Sequence, residues 1–580
     1  MGLGIRRKKK LALLILTSSL LVVILFRIHQ GYSLFDYFKI AKEDNRSEKV
    51  QCLAKLSQNG KSKGASWSNE FYQPSRWKSF VSIITGGRRD RRMLIQSLSS
   101  LLLYRQCSTD ASINGDVPLL RTVEEKLFPY INFSALNGGT SQEFWPIHTR
   151  FDGSTYRGQV LEFSATNNSF TGTSQIEFDY SRPFWESWLN SAIQKGSRGL
   201  VISVSDFQVG ETVRLIKVLR LLKNTLPIEL VHKSDLEEIY QRLLITTARE
   251  NGSLEYPSQE LWFLNVKSLL KDGYAAKFKR FSNKWLAITF SSFQIPILLD
   301  SDTVPFVPLD TFYQADEFIR TGTLFFKDRN ISNPKLNSRQ INTLKQMINH
   351  SLGLSLDSEQ NFESLKNRLK DDMAIDAIKT LIFKRQKHYM ESGLLVLDKL
   401  KHFFSLPIAV MLQFSPIQEY FHGDKEWFWL GLLISNDTFT FYPVEASNVG
   451  KLKDLSTPES GQVCSVQLSH TDMDGNLLWL NGGLSVCKKV CWEYDFTKNK
   501  VIAAKYSSVD ELRKYYQSPV TLESAVIPGV GISSWSQQRE CVTYNYCTDY
   551  KRGDYGTLIE FTDSQKKFYK KIVQLWNEPI

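Results

Sequence analysis

Short apolar runs and longer amphipathic stretches alternate through residues 200–306 of the chain. Residues 200–206 form a β-branched apolar run that ends at an aspartate, and residues 211–224 carry apolar side chains at helical spacing. A second apolar run at 227–232 and a second amphipathic stretch at 235–250 repeat this order. The succession of strand, helix, strand and helix predicts a parallel sheet of the α/β class with nucleotide-binding character.

The next apolar run, residues 296–299, is followed at once by Asp300, Ser301 and Asp302. It predicts a buried core strand, and ligands of α/β folds bind at the carboxyl ends of such strands. Two carboxylates there suit a divalent cation that carries substrate phosphates. The helical stretch before this strand carries three basic residues that we expect on a solvated face: Lys279, Arg280 and Lys284.

Two more strands are predicted beyond the aspartate pair, at residues 321–329 and 391–397. Each has a glycine near its start, Gly322 and Gly393, and Gly393 lets a ligand approach the backbone of the second strand. Residues 423–431 put three charged residues before a predicted aromatic helix start: Asp424, Lys425 and Glu426. Acidic residues at a helix start also simply favour the positive end of its dipole.

A second aspartate pair, Asp472 and Asp474, follows His470 near the cysteine-rich part of the chain. Gly475 and Asn476 behind it are typical of a turn, so the pattern favours a hairpin turn over a metal site. His470 itself is either a late metal ligand or a hydrogen-bonded loop histidine.

The N-terminus carries a basic cluster at residues 6–10, and residues 11–26 follow without a charge. This order predicts an uncleaved anchor in the type II orientation, although a spanning helix needs about 17–25 residues. A cleaved signal peptide is the alternative. The predicted organisation is a cytoplasmic tail at 1–10, an anchor at 11–26, a luminal stem at 27–75, a luminal region of unclear role at 76–195, a catalytic domain at 196–500 and a luminal extension at 501–580.

Composition narrows the class of protein without identifying it. The 580 residues are 42% hydrophobic and 23% charged, which is ordinary for a globular protein of several domains. The net charge of +12 comes from basic residues scattered along the chain, so we expect no nucleic-acid partner.

Seven cysteines and seven glycosylation acceptors agree with a secretory address. Cys52 and Cys107 lie early, and five cysteines lie beyond residue 463. The late group predicts disulfides with at least one cysteine left over, while its spacing fits no compact zinc module well. The acceptors of the Asn-x-Ser/Thr type are Asn45, Asn132, Asn167, Asn251, Asn330, Asn349 and Asn436.

Five blocks in order resemble the fungal Golgi α-1,3-mannosyltransferases. They cover residues 297–306, 321–329, 391–399, 423–430 and 470–483. The resemblance implies a GT-A-like fold, Rossmann-type with a mixed sheet, behind the membrane anchor. It also implies GDP-mannose as donor, Mn²⁺ as cofactor, retention of configuration, and mannose-terminated N- or O-linked glycans as acceptors. The implied location is the Golgi membrane, single-pass type II, with a luminal catalytic domain. The family's Asp-Ala-Asp reads Asp-Ser-Asp here.

On this resemblance we assign candidate roles to the charged and glycine positions. The metal ligands are Asp300, Asp302 and His470; the donor-binding residues are Asp300, Asp302, Gly322, Gly393 and Lys425; the catalytic residues are Asp424 and Glu426. A carboxylate near the anomeric carbon would act as nucleophile or as ion-pair stabiliser. Alternative functions are another mannosyl linkage, such as α-1,2, or a silent glycan-binding subunit of a glycosyltransferase complex.

Overall fold

An eight-stranded sheet lies at the centre of the computed structural model. The structure describes residues 88–109, 117–137, 141–331, 334–357, 359–529 and 535–580. The predicted anchor and stem, together with Asn45 and Cys52, lie outside the described residues.

The described strands are β1 (Ile147–Arg150), β2 (Thr155–Arg157), β3 (Gln159–Phe163), β4 (Phe170–Gln175), β5 (Gln194–Ser203), β6 (Ile228–His232), β7 (Leu261–Asn265), β8 (Phe293–Leu299), β9 (Thr303–Pro305), β10 (Thr323–Lys327), β11 (Met390–Leu397), β12 (Ser447–Gly450), β13 (Lys453–Asp454), β14 (Ser460–Ser465), β15 (Leu468–Thr471), β16 (Leu477–Asn481), β17 (Ser524–Ile527), β18 (Ser536–Gln537), β19 (Tyr546–Lys551) and β20 (Thr557–Glu560).

The described α-helices are α1 (Arg88–Thr109), α2 (Val117–Leu127), α3 (Phe133–Asn137), α4 (Phe184–Ser191), α5 (Val209–Leu221), α6 (Glu238–Arg249), α7 (Asn283–Phe290), α8 (Asp316–Thr321), α9 (Ser338–Leu352), α10 (Glu359–Leu369), α11 (Asp372–Lys379), α12 (Lys399–His402), α13 (Ser405–Phe414), α14 (Lys425–Ile434), α15 (Trp492–Lys498), α16 (Lys500–Lys505), α17 (Val509–Gln517) and α18 (Asp563–Trp576).

The central sheet is mixed, with the strand order β10-β11-β8-β5-β6-β7-β1-β2. Strands β8, β5, β6 and β7 run parallel, whereas β11 and β1 run antiparallel to their neighbours. This confirms the predicted α/β class and the predicted alternation of strands and helices between residues 200 and 299. The predicted strand before the aspartate pair is β8.

Both faces of the parallel strands are buried, which explains their nearly continuous apolar sequence. Leu200 and Ile202 of β5 pack in one core cluster, while Val201 between them packs in the other. Ile297 and Leu298 of β8 divide in the same way. The period of two sends alternate side chains to opposite faces, and helices such as α5 and α7 cover those faces.

A second, antiparallel sheet begins directly after the aspartate pair. Its strand order is β20-β17-β12-β15-β16-β9, and β9 starts at Thr303. The Asp300–Asp302 turn therefore joins the last parallel strand of the central sheet to the edge of the second sheet. The hairpin between β15 and β16 contains Asp472, whose side chain accepts from the backbone N–H groups of Asp474 and Asn476. The predicted hairpin turn is confirmed.

Four of the late cysteines form two disulfides, Cys464–Cys547 and Cys487–Cys541. Cys491 is buried and carries a free thiol. The predicted bridging of the late group, with one cysteine left over, is confirmed. The first bridge joins β14 to β19, which belong to a small sheet of order β13-β14-β19-β18.

The location predicted from the sequence requires a correction. No helix within the described ranges is long and apolar enough to cross a membrane, so the structure does not support a single-pass Golgi membrane protein. The segment 11–26, on which that prediction rests, lies outside the described residues.

The predicted glycosylation acceptors differ in their exposure. Four are exposed on loops or turns: Asn167, Asn251, Asn330 and Asn436. Asn132 and Asn349 are half-buried, and their side-chain oxygens accept from backbone N–H groups of Ala135 and Leu356. Modification of any of them stays a prediction.

Candidate active site

Lys284 joins Asp300 and Asp424 into one charged group. Its Nζ lies 2.7 Å from Oδ1 of Asp300 and 3.3 Å from Oδ2 of Asp424. It also donates to the carbonyl oxygen and to the hydroxyl of Ser392, each at 3.0 Å. Lys284 is 5% exposed, so the predicted solvated position for this lysine is wrong. A buried ammonium needs such partners, because an unpaired charge in the interior is costly.

Three elements place these side chains together. Asp300 follows β8, and its backbone N–H donates to the carbonyl oxygen of Gly393 in β11 at 2.8 Å. Thr303 donates its hydroxyl to the same carbonyl at 2.7 Å. Lys284 comes from the first turn of α7, and Asp424 directly precedes α14. The group therefore lies at the carboxyl edge of the central sheet, where ligands of α/β folds bind.

Asp302 belongs to the same turn but has a different partner. Its Oδ2 lies 3.3 Å from Nζ of Lys488, and its carbonyl oxygen accepts from the backbone N–H groups of Gly482 and Gly483. The two glycines have φ values of +104° and +66°, a left-handed region that favours glycine. The side chains of Asp302 and Lys488 are each 27% exposed, so this part of the group faces solvent.

Negative charge is concentrated around Asp300. Burial raises the pKa of Asp300 to about 7; Lys284 opposes this shift, and the neighbouring carboxylates of Asp302 and Asp424 add to it. Burial lowers the pKa of Lys284, but Asp300 and Asp424 raise it well above the ordinary lysine value overall. Three carboxylates thus meet two ammonium groups, those of Lys284 and Lys488, and an excess of carboxylate is the electrostatic setting that a cation prefers.

Lys425 lies beside this group but pairs with another carboxylate. Its Nζ forms an ion pair with Asp328, which follows β10. Burial would raise the pKa of Asp328, yet Lys425, His388 and Arg329 together lower it to about 2. Lys425 is therefore held as a cation near the carboxyl edge of the sheet.

Glu426 points into the protein rather than toward Asp300. Its Oε1 accepts from the backbone N–H groups of Tyr389 and Met390, at 2.7 and 3.2 Å, and its Oε2 accepts from Nε1 of Trp429 at 2.6 Å. Glu426 is 1% exposed. Three donors thus occupy both carboxylate oxygens, so the structure does not bring Glu426 to the Lys284 group.

His470 is also held apart from the aspartate pair. Its ring stacks on Trp479 with centroids 4.3 Å apart, and it is 1% exposed. Burial lowers its pKa to about 3, with smaller effects of Asp328 and Arg329. Among the described residues, the group of three metal-ligating side chains with ligand atoms within 4.8 Å is Cys487, Cys491 and Cys541. The structure therefore does not gather Asp300, Asp302 and His470 into one ligand set.

The two predicted donor-binding glycines serve packing in this structure. Gly322 ends α8 with a φ of +78° and opens β10. Because β10 runs parallel to β8, Gly322 lies at the opposite edge of the sheet from Asp300. Gly393 lies beside Asp300, but a Cβ there would meet Trp479 at 2.9 Å and Asn481 at 3.0 Å. The side chains of Trp479 and Asn481 thus occupy the space beside Gly393 in which the sequence analysis expected a ligand.

Comparison with known proteins identifies the family. The family model described as "Mannosyltransferase putative" matches residues 197–472. The probable alpha-1,3-mannosyltransferase MNT4 of Saccharomyces cerevisiae is 64% identical over 580 residues, covering 100% of both chains. The alpha-1,3-mannosyltransferase MNT2 of the same yeast is 46% identical over 518 residues, covering 89% of this chain and 90% of that protein. The chain belongs to the fungal α-1,3-mannosyltransferase family.

This α-1,3-mannosyltransferase family member is a glycosyltransferase, as the sequence predicts. Solved structures overlay on it with low scores. The Mn/GDP form of core-mannan synthase A from Aspergillus fumigatus has a TM-score of 0.27 at 11% identity, covering 52% of this chain and 86% of that one.

Three residues of the candidate site escaped the sequence analysis. Lys488 lies beyond the family-model match and was visible only as a lysine next to Cys487. Ser392 precedes the glycine that drew attention. Phe281 is 44% exposed and packs its ring 3.3 Å from the Cβ position of Gly423, beside Asp424. Exposed aromatic rings are a signal for sugar contacts, but nothing in the sequence separates Phe281 from core phenylalanines.

Proposed function

We propose that the chain transfers mannose from GDP-mannose to mannose-terminated N- or O-linked glycans, forming an α-1,3 linkage with retention of configuration. The observation that carries the proposal is the Lys284 group: two carboxylates on one ammonium, beside Asp302, at the carboxyl edge of a parallel sheet. Family membership supports the reaction and the linkage. We further propose that the central sheet is a GT-A-like fold, which the order of its parallel strands supports.

Asp300 and Asp302 are our candidates for holding Mn²⁺. Carboxylate oxygens suit this hard cation, and the carboxylates of Asp302 and Asp424 add negative charge beside Asp300. When bound, the ion would neutralise the diphosphate as the glycosidic bond breaks. His470 does not fit this ligand set, since its ring is enclosed by Trp479 and Phe326. Lys488, paired with Asp302, is the cation placed to receive the diphosphate.

Asp424 is our candidate for the carboxylate that acts on the transferred mannose. It is held on Lys284 beside Asp300, so a donor bound to Asp300 would bring its anomeric carbon to this side of the site. Glu426, two residues on, positions Asp424 by fixing the first turn of α14 to the backbone of Tyr389 and Met390. Lys425 contributes a nearby positive charge while paired to Asp328.

Transfer by the purified full chain tests this proposal. GDP-mannose, Mn²⁺ and a short α-mannoside should give a product whose new linkage maps to α-1,3. Asp302→Asn should lower the rate by a factor of about 100 or more, as loss of one electrostatic contact to a developing charge does. The matched control is Asp474→Asn, an exposed aspartate in the hairpin turn, which should keep wild-type activity.

Three results would each overturn a part of the proposal. A preparation that binds mannosides but transfers nothing indicates the silent glycan-binding subunit instead. If Asp302→Asn kept full Mn²⁺-dependent activity while Asp474→Asn lost it, the metal site would belong to the hairpin. A product mapped to an α-1,2 linkage would retain the enzyme class and refute the linkage.

A further inference from the structure

An aromatic ring from the C-terminal part of the chain, that of Tyr544, contacts the lysine that pairs with Asp302. Nζ of Lys488 lies 3.3 Å from Asp302 and 4.9 Å from the ring centroid of Tyr544. The Lys489 ammonium lies 4.3 Å from the same centroid. Cations over an aromatic face are attracted by its quadrupole. Lys488 is therefore held between a carboxylate of the candidate donor site and a tyrosine that lies more than fifty residues further along the chain.

The turn that leads to Tyr544 has an unusual backbone. Cys541, Val542 and Thr543 have φ values of +57°, +51° and +60°. Consecutive left-handed residues without a glycine are rare, and the conformation is most costly for β-branched side chains such as those of Val542 and Thr543. Such strain persists only where the surrounding structure enforces it, and it clusters at functional sites.

Two sets of contacts enforce this turn. The disulfide Cys487–Cys541 ties its first residue to the residue before Lys488. The hydroxyl of Tyr516 accepts from the backbone N–H of Cys541 at 2.9 Å. Asp495, which is 2% exposed, accepts from the backbone N–H of Val542 at 3.0 Å and from the Tyr516 hydroxyl at 2.5 Å. A covalent bond and a buried carboxylate thus hold the turn against the lysine segment.

We propose that Tyr544 is a positioning residue of the donor site, acting through Lys488, and that the Cys487–Cys541 disulfide and the strained turn keep it in place. The proposal rests on the proposed function, in which Lys488 receives the donor diphosphate. A lysine side chain has much rotamer freedom to lose on binding a ligand. Restricting Lys488 beforehand lowers that loss and so tightens diphosphate binding.

The affinity of the full chain for GDP in the presence of Mn²⁺, measured by calorimetry, tests the role of the ring. Tyr544→Leu removes the ring, and we expect GDP to bind about 3- to 30-fold more weakly, the value of one cation–π contact. Tyr544→Phe keeps the ring and should keep wild-type affinity. Both variants should leave kcat with saturating GDP-mannose close to wild type while Tyr544→Leu raises KM. A Tyr544→Leu variant with changed kcat and unchanged KM would overturn the proposal.

A double-mutant cycle shows whether Tyr544 acts through Lys488. In a Lys488→Ala background, Tyr544→Leu should change GDP affinity by less than about twofold, because the shared partner is gone. Equal effects in both backgrounds would overturn the proposal.

The two disulfides provide a matched pair of variants. Replacing Cys487 and Cys541 together by serine should weaken GDP binding as Tyr544→Leu does. Both are replaced because Sγ of Cys491 lies 3.7 Å from Sγ of Cys487 and could form a new bridge with it. Replacing Cys464 and Cys547 should have little effect on GDP affinity, since the β14–β19 ladder still pairs these strands.

The outcomes separate this proposal from the proposed function. If Asp302→Asn loses GDP affinity while Tyr544→Leu keeps it, the donor site stands and the positioning role falls. If Asp302→Asn also keeps its affinity for GDP with Mn²⁺, the donor site itself is refuted.

Discussion

Replacing Lys284 by methionine measures how much free energy of unfolding the Lys284 ammonium contributes. Methionine has nearly the same length but removes the ammonium from Asp300 and Asp424, which lie 2.7 and 3.3 Å away. Removing one partner of a buried ion pair typically costs about 3–5 kcal/mol, because a charge is left uncompensated. Asp424 keeps only 3% of its side-chain surface, whereas Asp300 keeps 22% and can draw on solvent. We therefore expect a loss of about 3 kcal/mol at pH 8, the lower end of that range.

Urea denaturation of the full chain at pH 8 and at pH 5 measures this loss. Without Lys284, burial and repulsion by Asp302 and Asp424 hold the pKa of the Asp300 carboxyl above its unfolded value. Protonation then favours the folded state, so the variant should lose less stability at pH 5 than at pH 8. Mn²⁺ should restore part of the loss, because a divalent cation supplies positive charge at Asp300.

The matched control for Lys284→Met is Lys279→Met, an exposed lysine just before the same helix, which should change stability by less than about 0.5 kcal/mol. A Lys284→Met variant that unfolds at the same urea concentration as this control would refute the reasoning. So would a loss that is larger at pH 5 than at pH 8.

Three further changes have defined outcomes. Burial raises the pKa of Glu426 to about 7, so its contribution to stability falls as pH rises from about 4.5 to 7. In urea denaturation, the difference in unfolding free energy between wild type and Glu426→Gln should therefore fall over that pH window. A difference that does not change with pH would contradict this prediction. Gly431→Ala puts a Cβ 2.7 Å from the carbonyl oxygen of Ser405 and should cost about 1–3 kcal/mol by overpacking, whereas Gly210→Ala on α5 has room and should not destabilise the fold. Burial raises the pKa of the Cys491 thiol to about 12, so peptide mapping after iodoacetamide treatment should find Cys491 alkylated only in denaturant; alkylation of the native protein would show that the thiol is accessible.

The local pattern of the chain predicted much of the central sheet. The apolar runs around Leu200 and Ile297 are buried on both faces, so their composition alone marked them as core strands. The hairpin turn could be predicted because turn formation depends on a few neighbouring residues, here Asp474, Gly475 and Asn476. The short strands of the C-terminal sheets, such as β17 and β19, were not predicted, because four to six residues without strict alternation carry little periodic signal.

The candidate site was predicted only where its residues stand at the end or the start of a recognisable strand or helix. Asp300, Asp302 and Asp424 could be chosen because each follows or begins a recognisable element. Glu426 and His470 looked equally suitable, since a sequence shows a residue's type but not its surroundings: hydrogen-bond donors occupy the carboxylate of Glu426, and aromatic rings enclose the imidazole of His470.

The sequence by itself determined that an acidic pair follows a core strand of an α/β fold, because strand, turn and charge are all local properties. Tertiary structure alone decided which cations meet that pair. Lys284 turns inward from α7 to Asp300 and Asp424, and Lys488 is brought to Asp302 by two glycines and a disulfide. Packing in three dimensions and the need to compensate buried charge select these partners. Neither effect produces a periodic pattern in the sequence from which the partners could be predicted.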